Sequence, residues 1–309
     1  MSGEFTVVVP CSTSNLGAGF DALGIALGGP DLIVRATPGG SGLRITNISG
    51  MGENTLPRDH TNRIIVAAIA AAQVVGVGPE ALNAELELHS SIPLKRGLGS
   101  SAAAALAGAL VGDELVGGTL GVERALAVAV SLEGHPDNVV PCLRGGAQVS
   151  IRGTQGNIMS SSIHIARPLR AAIFIPEQEL STEAARAVLP KQVPLADAVF
   201  NLSRAALFVA ALSQGRYELL GEAMGDRLHQ GPRSTLIPWL PALLKAAREA
   251  GALGSALSGA GTTVFALCEM DSAHDVARAM RDHAFQNGVP GRAEVVDVGV
   301  NGARVERKS

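Results

Sequence analysis

Apolar residues recur along the chain in two rhythms. Short runs that are β-branched or alternate in polarity, each bounded by turn residues, predict strands over Thr6–Val9, Leu32–Arg35, Ala84–Leu88, Ala147–Ile151, Ala171–Ile175, Thr263–Leu267 and Ala293–Val298. Apolar positions three to four apart predict helices over Asn62–Val75, Ser101–Val111, Asp197–Leu212, Trp239–Ala250 and Ser272–Gln286. Pro238 precedes the fourth of these helices and Gly251 follows it, the usual asymmetry of start and stop. Strands and helices mix without the strict alternation of a doubly wound sheet, so an α+β fold is expected. The polar, Gly/Ser-rich stretch over residues 153–168 reads as a domain boundary or an exposed hairpin.

Composition narrows this picture. At 309 residues the chain has room for two domains of roughly 150 residues each. With 47% hydrophobic and 17% charged residues it can fill a core, and with 3% aromatics that core must be built from Ala, Val, Leu and Ile. A formal charge of −3 argues against nucleic acid or an anionic membrane as partner. Cys11, Cys142 and Cys268 are far apart with no paired spacing, which fits a reducing compartment and excludes the usual zinc motifs. The opening MSGEFTVVVP lacks a basic leader, and the apolar tract around Ala102–Val111 is shorter than the ~18 residues of a membrane span. A soluble, cytoplasmic protein is the expectation.

The candidate chemistry begins at PLKRGLGSSAAAALAGA, residues 93–109. Gly97 and Gly99 can take positive φ and admit close approach to the backbone. Ser100 and Ser101 stand where a helix begins, with open N–H groups and the positive end of a dipole. That is an anion site, and phosphate is the common biological anion that fits it. Lys95 and Arg96 add charge alongside, and the serine hydroxyls can bond phosphate oxygens or ligate magnesium. GLGSSA also matches the dinucleotide pattern G-x-G-x-x-A, but GAGFDA at residues 17–22 matches it equally well, and Pro93 to Arg96 separate the glycines from a strand. A P-loop is excluded because no G-K-[ST] follows. Two further glycine clusters, PCSTSNLGAGFDALG (10–24) and LSGAGTTVFAL (257–267), would each alone most often be a turn.

The three clusters together, in this order and at these separations, resemble the GHMP kinase superfamily. The resemblance implies an N-terminal α+β ATP-binding domain (1–167) and a C-terminal ferredoxin-like α/β sandwich (168–309), with the site between them. It also implies ATP contacts from Pro93, Lys95, Arg96, Gly97, Leu98, Gly99, Ser100, Ser101 and Ala102, and from Asn62 at the start of its helix. The segment SLEGHPDNVVPCLRGG (131–146), read with SNLGAGFDALG, narrows the resemblance to the homoserine kinases of that superfamily. The activity it implies is ATP-dependent phosphorylation of the L-homoserine side-chain hydroxyl in threonine biosynthesis.

Within that resemblance Arg186 and Arg233 clamp the substrate carboxylate, a task suited to bidentate guanidinium. Thr182 shares a helix face with Arg186. Asn15, Asp21, His135 and Asn138 line the amino-group and hydroxyl end, with Asp21 as counter-ion for the ammonium. Asn138, His135 and Arg233 are the candidates for acting on the reacting groups, and no Asp/Lys base pair is evident. Mg²⁺ is expected on Glu133 with Ser100, Glu123 being the other acid in range. SGAGTT departs from relatives that carry proline after the last glycine, and that position is expected to be tolerant. The resemblance allows for a homodimer. Two other readings stay open: a mevalonate-type kinase, which would lack paired Arg186 and Arg233, and a non-catalytic sensor on the same fold.

Overall fold

The computed structural model describes residues 3–308. The first half of the chain runs β1 (Phe5–Asn15), β2 (Gly19–Pro38), β3 (Leu43–Gly50), α1 (Arg63–Val74), β4 (Ala84–Ser90), α2 (Ser100–Leu115), α3 (Val122–Glu133), α4 (Val139–Arg144), β5 (Ala147–Arg152) and β6 (Ile158–Ile163). The second half runs β7 (Arg170–Pro176), α5 (Thr182–Ala187), α6 (Leu195–Gln214), α7 (Leu220–Ala223), α8 (Gln230–Arg233), α9 (Leu240–Glu249), β8 (Gly254–Leu257), β9 (Val264–Cys268), α10 (Ala273–Gln286), β10 (Gly291–Asp297) and β11 (Arg304–Arg307). All seven predicted strands and all five predicted helices are present, most of them longer than the hydrophobic pattern marked.

The first sheet has the order β11-β1-β2-β4-β3, with the β5–β6 hairpin attached to β2 through Leu23–Ile25. Residues 153–157 form the tip of that hairpin, which settles the polar stretch there as an exposed turn between strands. Beneath this sheet lies α2, whose Ala102, Ala103, Ala105, Ala107 and Ala109 are all fully buried. A helix apolar on every side belongs in the middle of a layer, and α1 and α3 pack on either side of it. The small residues are what permits this. A Cβ added at Gly108 or Gly112 would run into the α1 backbone at Ile64 or Ala68.

The second sheet is antiparallel, with order β10-β7-β9-β8. Counted from β7 this is the 4-1-3-2 order of a ferredoxin-like unit. Alternation along β7 feeds two cores. Ala172 and Phe174 face α9 and α10, whereas Ala171, Ile173 and Ile175 join the large core that also holds Val7, Ile25 and Leu106. The last strand, β11, returns to pair with β1, so the end of the chain is stitched into the first sheet.

By length and composition one helix among the described residues, α6, could cross a membrane, with 22% of its apolar window buried. It carries Asp197, Asn201 and Arg204, and Asn201 is buried with its amide bonded to Asp226 and to the Ala18 carbonyl. The helix is thus tied into the fold by polar contacts.

Candidate active site

Where the two sheets meet, one cavity of about 440 Å³ collects residues from all three glycine clusters and from the segments between them. Asn15, Asp21, Asn62, Pro93, Lys95, Arg96, Gly97, Leu98, Gly99, Ser100, Ser101, Glu133, His135, Asn138, Thr182, Arg186 and Arg233 all line it. Of the residues singled out in the sequence, Ala102 lies outside, fully buried behind the first turn of α2. Glu123 is also remote, at the opposite end of α3 from Glu133 and paired with Arg144 on the surface.

The glycines are required chiefly by other protein segments. Gly97 (φ +76) abuts the carbonyl of Ser258 and the backbone of Gly261, and Gly99 (φ +70) abuts the hydroxyl of Ser12. Side-chain hydrogen bonds bind the same three clusters. Ser258 donates to the Gly97 carbonyl (2.7 Å), so Thr13 must donate to Ser258 (2.8 Å). Ser12 donates to Asn138 Oδ1 (2.9 Å), and Asn138 Nδ2 donates to Ser14 (2.8 Å). Ser12, Thr13, Ser14 and Asn15 are buried polar residues on β1, and burial is tolerable only because each has such a partner.

At the α2 start, Gly99 is the N-cap and supplies no side chain to the first turn. Among the described residues, none of the backbone N–H groups from Gly97 to Ala102 has a backbone partner. The loop therefore offers a run of open donors at the positive end of a buried helix. Arg96 spends its donors on the carbonyls of Leu94, Pro176 and Glu177, which ties the loop to the end of β7, and both Lys95 and Arg96 pair with Glu179. Beyond the loop the wall is apolar, with Leu32, Ile48, Met51, Leu56, Leu88 and Leu94. Asn62 caps α1, accepting from the Ile64 N–H and donating to the Pro57 carbonyl.

Glu133 ends α3 and presents Oε2 to Ser101 (2.8 Å) and to Arg63 (2.6 Å). The serine beside this carboxylate is thus Ser101, one position on from the expected Ser100. Oε1 has no protein partner among the described residues.

The other end of the cavity is ionic. Asp21, at φ +56, makes a two-point pair with Arg186 (2.6 and 3.1 Å). That hydrogen-bonded carboxylate holds the Arg186 pKa above its ordinary value. Arg233 is 1% exposed, and its Nε and Nη1 donate to Ala185 O, Gly259 O and His229 Nδ1. Burial, reinforced by the nearby charge of Arg186, lowers the Arg233 pKa to about 10. Its Nη2 is the nitrogen left without a partner among the described residues. His135 Nδ1 is bonded to Asp137 (2.5 Å), and Nε2 is buried with no partner among the described residues. Burial works against an imidazolium there, but the hydrogen bond and charge of Asp137, with Glu133 beyond, outweigh it and raise the pKa.

Two expectations change in this light. Asn15 and Asn138 line the cavity, yet both ends of each amide are already engaged. Asn15 Oδ1 accepts from the Asp21 N–H and Nδ2 donates to Gly259 O, while Asn138 bridges Ser12 and Ser14. Thr262, which follows the last glycine, is fully buried and donates to the Gln178 carbonyl (2.7 Å), so this position is not a free one. The residues left without a role at the level of sequence are Arg63, Asp137, Phe20 and His229. Asp137 and Phe20 sat inside quoted motifs. Arg63 had no local signal, because its partner Glu133 lies 70 positions away, and His229 stands four residues before Arg233 while its other contact, Gly17, lies 212 positions away.

Two sheets thus meet across a helix start with open backbone donors, and an ionic pocket lies opposite. The GHMP kinase N-terminal domain model matches residues 62–146, and the GHMP kinase C-terminal model matches residues 208–286. A homoserine kinase of Desulfitobacterium hafniense is 38% identical over 97% of this chain and 99% of its own length. One from Moorella thermoacetica is 45% identical over 85% of this chain and 86% of its own. The crystal structure of a homoserine kinase from Cytophaga hutchinsonii superposes with a TM-score of 0.89 at 32% identity, covering 99% of this chain and 98% of that one. The chain belongs to the GHMP kinases and, within them, to the homoserine kinases.

Proposed function

We propose that the chain transfers the γ-phosphoryl group of ATP to the side-chain hydroxyl of L-homoserine, a step of threonine biosynthesis, and that the cavity residues divide the work as follows. The open N–H groups of Gly97 to Ser101 hold the polyphosphate. Phosphoryl transfer asks chiefly for positioning and charge neutralisation, and a helix start supplies both without reorganising. The apolar wall from Leu32 to Leu94 takes the base.

The observation that carries the substrate assignment is the Asp21–Arg186 pair beside Arg233. A free amino acid is a zwitterion, and it can replace each half of that pair: its ammonium on Asp21, its carboxylate on Arg186 and on the unspent Nη2 of Arg233. Thr182, Asn15 and Asn138 complete the walls of this end. His135 is the titratable group whose buried, unpartnered Nε2 can share a proton with the reacting hydroxyl.

The donors at Glu133, Ser100 and Ser101 are all hard oxygens at an anion site, which suits Mg²⁺. Glu133 Oε1 and a serine hydroxyl would hold it, and when bound it would neutralise phosphate charge. Three unpaired, buried cysteines suit a cytoplasmic enzyme. For the homodimer, the exposed row Leu195, Val199 and Leu202 on α6 is apolar surface that a second copy would cover.

The experiment is ADP release against L-homoserine, L-serine, shikimate, galactose and mevalonate, repeated with Arg233→Ala. Turnover on homoserine alone, strongly weakened in the variant, is expected. Turnover on mevalonate would overturn the substrate assignment, and ATP binding without any turnover would make the protein a sensor.

A further inference from the structure

We propose that His229 is a positioning residue: its neutral ring aims Arg233 at the substrate carboxylate without cancelling the arginine's charge. The proposal rests on the reading of Arg233 as a carboxylate ligand.

His229 is fully buried in the turn before α8. Arg233 Nη1 lies 3.0 Å from its Nδ1 and the Gly17 carbonyl 2.8 Å from its Nε2. A guanidinium can only donate, so Nδ1 must carry the lone pair, and Nε2 must carry the proton that Gly17 accepts. The tautomer is therefore fixed from both sides. Burial keeps the ring neutral, lowering its pKa against the pull of Asp226. Asp226 is itself occupied, accepting the N–H groups of Leu228, His229 and Gln230 and the amide of Asn201. Phe20 stacks on the imidazole at 5.2 Å, and both guanidinium carbons, of Arg186 and of Arg233, lie 5.5 Å from the same ring.

The two arginines are thus held in opposite ways. Arg186 is paired with a carboxylate, whereas each protein acceptor on Arg233 is neutral: two carbonyls and one imidazole. A carboxylate at position 229 would hold the guanidinium equally well but would compete with the substrate for it. A neutral acceptor fixes direction and leaves the charge to the ligand. Through Gly17 the same ring also ties this arginine to the turn that precedes Phe20 and Asp21.

The test uses His229→Asn, His229→Leu, His229→Asp and Arg233→Lys in the full chain, with KM for homoserine, KM for ATP, kcat and thermal midpoint measured for each. Asn returns an acceptor near the Nδ1 position, so its KM for homoserine should stay within about threefold. Leu removes the acceptor and should raise that KM at least tenfold, about 1.4 kcal/mol. Asp should raise it further, with KM for ATP within twofold throughout. If Leu does not fold, the Asn–Asp comparison decides alone. Equal KM changes for Asn and Asp, or a loss that moves both KM values and kcat together with the melting point, would make His229 a packing residue and overturn the proposal. Arg233→Lys separates the two readings. If it leaves the homoserine KM unchanged, the clamp itself fails and the proposal with it. If it raises that KM while the His229 variants do not, only the proposal fails.

Discussion

Gly97→Ala should destabilise the protein and weaken ATP binding, because two costs meet at this residue. The first is conformational. At φ +76 a side chain sits in the left-handed region, which costs roughly 1–2 kcal/mol for an L-residue. The second is contact. A Cβ there would meet the Ser258 carbonyl head-on and stand 2.9 and 3.0 Å from Gly261 N and O, all of them backbone atoms that cannot swing aside. Overpacking of this kind costs about 1–3 kcal/mol. The sum is a loss of about 2–5 kcal/mol, a large share of a domain's stability. Gly117→Ala is the matched control, since Gly117 has φ +80 and nothing within 4 Å of its would-be Cβ. It should lose only the conformational part. Urea denaturation of both variants gives the difference, and the slope m should not change. Relief of the clash would displace the loop from Ser258, so KM for ATP should rise for Gly97→Ala and stay unchanged for Gly117→Ala. If the two variants lose the same stability and bind ATP alike, the glycine is not there for the contact with the third cluster, and the account of the loop given above is wrong.

Asp21→Asn should raise KM for homoserine by about tenfold or more, since a hydrogen bond to a charged group contributes about 1.5–3 kcal/mol, while KM for ATP stays within about twofold. His135 has a raised pKa in the folded state, so it stabilises the fold fully below the ordinary histidine value of 6.5. That contribution disappears as pH rises from there through the raised value. Thermal midpoints measured across this window should fall more for the native protein than for His135→Gln, and parallel curves would refute the assignment. The cysteines should be inert in the folded protein: burial pushes Cys142 to about 12 and Cys268 to about 11, and Cys11 higher still. Iodoacetamide at pH 8 should leave the native chain unmodified and label all three thiols in urea, as mass spectrometry would record.

The features legible in the linear chain are local and periodic. Alternation and helical spacing located seven strands and five helices, because each of these elements buries apolar residues along a continuous stretch. The elements it did not mark are short or irregular, such as β8 with four residues and α7 with four, or exposed, such as β3 and β6. The exception is α3, a regular helix of 12 residues that was not marked; it carries Glu133 on its last turn, where the acid lies beside Ser101 only after the chain has folded. Glycine clusters and the EGHPDN segment marked the cavity because close backbone approach and polar burial restrict residue type at each position separately.

How those side chains are spent follows from the folded arrangement. That Asn15 and Asn138 brace the clusters, that Arg96 is a strut to the second sheet, and that Arg233 is held by the carbonyls of Ala185 and Gly259 are all facts about partners distant in sequence. Residue type limits which bonds a group can make, but a donor is used up only by the acceptor that the fold brings within about 3 Å of it.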